Sequence, residues 1–188
     1  MRKAVGLGLS AAAIFATGLT MPAASAAVTS TAALSAPGPG DPDTTVTFAV
    51  TSGELTMTAP TTANLGSGAP GTTITGETGA VTVTDDRALL SAAWTATASS
   101  TAFTTGAATP HETIPATDAT YSPGTITTTG TITATPTEIT LDGEPQTVVA
   151  GTDGVGNNTA SWDPTVAVAV PAQAVGGTYT GTLTQSVS

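Results

Sequence analysis

The last twelve residues, GTYTGTLTQSVS (177–188), alternate without a break. Tyr179, Gly181, Leu183, Gln185 and Val187 fall on one side of an extended chain, and Thr178, Thr180, Thr182, Thr184 and Ser186 on the other. Period-two alternation of this length predicts a half-buried β-strand. The same pattern recurs in TTVTFAV (44–50), ELTMT (54–58), AVTVTD (80–85), TEITLD (137–142) and TVAVAV (165–170). Threonine fills most of the polar faces, where its branched Cβ suits an extended backbone and its hydroxyl meets water. SGE, GSGAPG, GETG, SPG, LDGEP and TDGVGNN read as turns between these runs.

Short strands with frequent Gly and Pro punctuation predict an all-β fold: an antiparallel β-sandwich of the Ig-like or Greek-key type, or an open barrel. Little or no helix is expected after the N-terminal segment. DDRALLSAA (85–93) is too short for more than a turn of helix and reads as a loop leading into a strand over SAAWTATAS (91–99). On that strand Trp94, Ala96 and Ala98 share a face, and the two alanines leave room for the indole, so Trp94 reads as a core anchor. Arg87, next to Asp85 and Asp86, is expected to pin the loop through a charge-assisted hydrogen bond.

The N-terminus changes the picture of where the chain works. Met1-Arg2-Lys3, an uncharged apolar run from Val5 to Leu19, and Ala24-Ser25-Ala26 form the parts of a secretory signal peptide. Cleavage is expected between Ala26 and Ala27. The domain plan is then a signal peptide (1–26), a Pro/Gly-rich leader ending in APGPGDPD (27–43) and one β-rich domain (44–188). The secreted chain of 162 residues suits one domain. It carries one Arg against thirteen carboxylates, a side-chain charge of −12. That balance gives no electrostatic route to nucleic acid or to an anionic membrane. With no cysteine, no disulfide staples are available and the core must hold the fold. Leu, Ile, Val and Phe number only 33 of 188, a level that would suggest disorder but for the strict alternation. No apolar tail or basic cluster follows the last strand, so attachment to a surface is expected to be non-covalent.

Candidate chemistry is sparse. His111, in TPHETIP, is the only histidine, and no nucleophile elbow lies near it. One histidine and no cysteine exclude ordinary zinc sites. The thirteen acids offer no carboxylate pair in a distinctive setting, and the reading is that the protein is not an enzyme. Calcium is the better candidate: GTDGVGNNTASWD (151–163) offers Asp153, Asn157, Asn158 and Asp163 in a Gly-rich loop. The spacing does not match a calcium loop, however, and the same residues are those a tight turn selects. The turn reading is preferred, with no cofactor expected.

The run VTVTDDR followed by AWTATASSTAFT resembles the core of WxL domains, secreted cell-surface domains of Gram-positive bacteria. The matching positions are Asp85, Asp86, Arg87, Trp94, Thr95, Ala96 and Phe103-Thr104, with YTGTLTQSV (179–187) similar to the family's closing strand through Tyr179, Leu183 and Gln185. Val170-Pro171 to Tyr179 is similar to the family's approach to that strand. The Leu of the first motif is Ala96 here, and the Trp of the second is Gln185. The resemblance implies a β-rich fold and non-covalent attachment to peptidoglycan, alongside partner surface proteins. The alternative is a structural β-sandwich that assembles with other surface proteins and never touches glycan. The −12 charge would be repelled by anionic wall polymers unless salt or a bridging cation screens it.

Overall fold

The computed structural model describes residues 44–188. The signal peptide and leader expected over 1–43 lie outside the described residues. The fold is all-β and antiparallel, with two three-residue 3-10 turns (Pro110–Glu112 and Ala116–Asp118) as its only helical pieces among the described residues. The strands are β1 (Leu55–Thr58), β2 (Thr73–Glu77), β3 (Val81–Ser100), β4 (Phe103–Thr104), β5 (Thr113–Ile114), β6 (Ala119–Ser122), β7 (Thr127–Pro136), β8 (Ile139–Thr140), β9 (Gln146–Trp162), β10 (Thr165–Ala169) and β11 (Leu183–Val187).

Two sheets make a sandwich, and no barrel closes. The first runs β1-β3-β9-β7, with β11 also paired to β3; the second runs β2-β10-β6-β8; β4 and β5 form a small separate ladder. β1 covers the first part of one β3 edge (Leu55 opposite Asp85) and β11 the last part (Gln185 opposite Ala98). Apart from the β4–β5 ladder, each strand lies in the opposite sheet from the one before it, so hydrogen-bonded neighbours are distant in sequence. The sheets close over Val81, Val83, Ala96 and Ala98 of β3, Val149, Ala160 and Trp162 of β9, and Tyr121, Leu141, Val166 and Val168. Phe48–Ser188 packs as a unit of its own.

β3 and β9 form the spine, from Val81 opposite Trp162 to Ala98 opposite Gln146. Inward positions on β3 are odd at 81–85 and even at 92–100. The switch needs an odd interval in which alternation fails, and residues 86–91 supply it as a bulged stretch with Ala88 at φ 53. β9 is irregular opposite, with Asp153 at φ 58. Paired bulges bend and twist both strands without ending them.

Three expectations are corrected here. Residues 85–93 are the bulged middle of one long strand, not a loop, because β9 continues to pair on the far side. GTDGVGNNTASWD is likewise mostly strand β9: Gly151 and Gly154 serve close packing in the sheet, and Gly156 takes a positive φ of 66 within the irregular stretch. Residues 44–50 form no strand, and Val46, Phe48 and Val50 are 79, 87 and 78% exposed. Their alternation defines a face, but no neighbouring strand pairs with them to bury it. Within TEITLD the regular strand is only Ile139–Thr140, although Leu141 is fully buried and its N–H reaches the Ala119 carbonyl at 2.8 Å.

Candidate functional site

Of the residues singled out between 85 and 104, those from Thr95 onward meet the closing segment, because β11 pairs antiparallel to the end of β3, whereas Asp85, Asp86 and Arg87 lie where β1 forms the edge. Val187 lies opposite Ala96 and Gln185 opposite Ala98. Thr95 and Ser188 exchange both backbone hydrogen bonds at 2.8 and 3.1 Å. Thr104 does the same with Thr180 at 3.0 and 2.9 Å, which brings Phe103 beside Gly181. A Cβ on Gly181 would press into the Phe103 ring. The Tyr179 hydroxyl lies in hydrogen-bond reach of the Val175 carbonyl (3.0 Å) and the His111 carbonyl (3.1 Å), fixing the approach to the strand.

The Asp85–Arg87 pair holds the bulge. Arg87 donates through Nε and one terminal nitrogen to the two Asp85 carboxylate oxygens, each at 2.8 Å, and its backbone N–H reaches Asp85 Oδ1 at 3.1 Å. The same terminal nitrogen donates to the Ala93 carbonyl at 2.9 Å. One guanidinium therefore ties the residue before the bulge to the residue after it, the fork geometry for which Arg is suited. Asp85 is wholly buried and Arg87 partly exposed. The Arg87 hydrogen bonds hold the Asp85 carboxyl below its ordinary range, against the opposing effect of burial. Asp86 takes no side-chain part in the clamp; its backbone exchanges hydrogen bonds with Gly53 and Glu54, continuing the pairing with β1.

Trp94 is a core residue, 3% exposed. It sits opposite Gly151 of β9, and a Cβ on Gly151 would overlap the six-membered ring of the indole. Gly151 is thus a seat for Trp94. The indole Nε1 and the Asn158 Oδ1 are buried without a hydrogen-bond partner among the described residues.

Gln185, standing in the otherwise apolar row of β11, is satisfied from the opposite sheet. Tyr121 of β6, fully buried, donates its hydroxyl proton to Gln185 Oε1 at 2.8 Å and accepts from Trp162 Nε1 at 3.1 Å. Burial pushes the Tyr121 phenol up to about 12. Tyr121 and Trp162 escaped the sequence reading. The available signals were their rarity, two of each type in the chain, and the inward alternation of Ala119 and Tyr121.

Above this relay lies an open cleft of about 320 Å³, bounded by the segment Pro60–Leu65 and the residues leading into β11. Gln185 and Phe103 line it, Leu65 and Leu183 add apolar surface over the buried Leu141 and Val166, and none of its lining residues is charged.

The calcium candidates do not come together. Asp153 and Asn157 are exposed, Asn158 is buried opposite Asp85, and Asp163 follows the end of β9. An extended strand separates its ten-residue span from Asp153 to Asp163 by roughly 30 Å. Among the described residues no three His, Asp or Glu side chains are grouped to hold a metal ion. His111 stands in the first 3-10 turn, at a second, more open recess of about 340 Å³ that it shares with Pro171 and Gln173. Comparison of the chain with protein-family models, with curated proteins and with solved structures found no match.

Proposed function

We propose that the protein is a secreted, non-catalytic cell-surface module, held without covalent attachment on the Gram-positive cell wall with peptidoglycan as its ligand. The observation that supports this reading best is convergence. Residues 95–104 and 180–188, which carry part of the WxL resemblance, lie far apart in sequence and form one paired seam with a neutral cleft beside it. The Asp85–Arg87 clamp lies further back along β3, at the bulge, while the two altered positions, Ala96 and Gln185, are both accommodated in the seam. Ala96 is buried against β9, and Gln185 is partnered by Tyr121.

Trp94 acts in this reading as scaffold, since a buried indole offers no face to a ligand. Co-sedimentation of the purified protein with isolated Gram-positive walls tests the proposal. Saturable binding is expected, unchanged by a folded Trp94→Phe variant. Protein that stays in the supernatant at every wall concentration would sink it.

A second reading, an assembly component that pairs with other surface proteins, is favoured by β7. This ten-residue strand, TTTGTITATP, ends the first sheet, carries no charge and is mostly exposed. Of the devices that blunt a sheet edge, it has the bulge around Gly130 and the terminal Pro136. Concentration-dependent oligomers in sedimentation velocity would favour this reading, and a monomer at all concentrations would count against self-assembly.

A further inference from the structure

The Gln185 carboxamide is aimed by the residues beneath it. An indole N–H can only donate, so the Tyr121 oxygen accepts from Trp162 and the single phenolic proton goes to Gln185 Oε1. With the oxygen end committed to Tyr121, the Nε2 end and its two protons belong on the other side. There Gln185 lines the cleft, and Nε2 donates to no group among the described residues. Since the phenol keeps its proton well beyond neutral pH, the amide has no reason to turn over.

The remainder of the cleft narrows what could meet that donor. In a chain with thirteen carboxylates, none lines it. Leu65, Phe103 and Leu183, each partly exposed, give it apolar surface, with the buried Leu141 and Val166 beneath, and threonine and serine residues line the remainder. Its volume stands near the lower end of the roughly 300–1,000 Å³ typical of small-ligand pockets, room for a sugar ring or two and not for a long chain. A fitting ligand is neutral, presents a carbonyl acceptor beside a small apolar group, and has a flat face for an aromatic ring.

We infer that this cleft binds a neutral N-acetylated sugar, the acetamido carbonyl accepting from Gln185 Nε2 and an apolar face of the ring resting on Phe103. The assignment rests on the wall-binding reading above and names the group that would be recognised there. Gln185 is the specificity-determining residue, and Tyr121 and Trp162 are positioning residues that act through it.

The test is a titration of the purified protein with the trisaccharide of N-acetylglucosamine, followed through the side-chain amide resonances of Gln146, Gln173 and Gln185. Cellotriose, which has hydroxyls in place of the acetamido groups, is the control. Gln185→Glu assigns the Gln185 signal by its disappearance, and its carboxylate can still accept from Tyr121. The expected result is a saturable shift of the Gln185 pair alone among the side-chain amides, with cellotriose weaker by about tenfold or more and the Gln185→Glu variant, followed like wild type through the backbone amides of Phe103 and Gly181 that line the cleft, weaker by as much. Equal shifts from both sugars, shifts that spare Gln185, or undiminished binding by folded Gln185→Glu would overturn the assignment. Wall co-sedimentation separates the two ideas. Walls that retain wild type and Gln185→Glu equally leave the wall reading standing and remove the cleft. A trisaccharide that shifts Gln185 in a protein that never sediments does the reverse.

Discussion

Replacing Arg87 with Met keeps most of the side chain's length and removes the clamp across the β3 bulge. The Asp85 carboxylate would then be wholly buried with no cation, and the Ala93 carbonyl would lose its side-chain donor. Breaking a buried pair from one side typically costs about 3–5 kcal/mol, because a charge is left uncompensated. Arg87 keeps 29% of its side-chain surface in solvent, so water screens part of the pair and the expectation falls to about 2–3 kcal/mol. For a domain of this size that corresponds to a melting point lower by roughly 4–12 °C. Urea unfolding followed by tryptophan fluorescence measures it, since Trp94 and Trp162 are both buried. Asp85→Asn with Arg87→Met removes charge and partner together, so the double variant should be more stable than the summed single losses predict, by about 1 kcal/mol or more. The pH dependence has a definite sign. Asp85 has a depressed folded pKa, so its contribution is full above the unfolded carboxyl value near 3.9 and is lost as pH falls through the folded one. The gap between wild type and Arg87→Met therefore narrows in acid. A loss below about 0.5 kcal/mol at neutral pH, the size of an ordinary exposed pair, or strict additivity of the two changes, would refute the clamp.

Three further outcomes follow from the same geometry. Gly151→Ala places a methyl where the Trp94 indole lies and should destabilise by about 1–3 kcal/mol through overpacking, with an altered tryptophan emission spectrum. Tyr121→Phe leaves Trp162 Nε1 and Gln185 Oε1 without their shared partner and should cost about 1–3 kcal/mol in urea unfolding. In the wild type, ultraviolet titration should show one phenol resisting ionisation to about pH 12; because its folded value is raised, its contribution to stability is complete below about pH 10 and is lost as pH climbs through 12. Millimolar calcium should leave the melting point unchanged, since Asp153, Asn157, Asn158 and Asp163 are not gathered; a rise of several degrees would reveal a site that the geometry does not contain.

Alternation in the sequence located faces well and partners poorly. The rows at Leu55–Thr58, Thr165–Ala169 and Leu183–Val187 are strands with their apolar positions turned inward as read. TTVTFAV has an equally regular face and no strand beside it, because period two says which side wants burial and not what will cover it. β9 was hidden by Gly151, Gly154 and Gly156, whose turn-like spacing belongs to a bulged strand in which the first two pack close to Trp94 and Ala92 and the third takes a positive φ. β7 was hidden by threonine on both faces, the mark of a strand with little to bury. Since successive strands alternate between sheets, hardly any pairing could be read from a turn. At the candidate site, Arg87 and Trp94 stood out by rarity, and the Asp85 bond was anticipated from adjacency. The Tyr121–Gln185 contact joins residues 64 positions apart across the sandwich, and no local pattern carries that information.

In the proposed function the module binds peptidoglycan itself, despite its acidity. The most direct measurement compares its co-sedimentation with intact walls and with the same walls stripped of anionic polymer, at fixed moderate salt. Saturable binding that tightens once the like charge is removed is expected, because repulsion is still felt within about 8–10 Å under such conditions. Binding that disappears with the anionic polymer, or that is absent from both preparations, would contradict it.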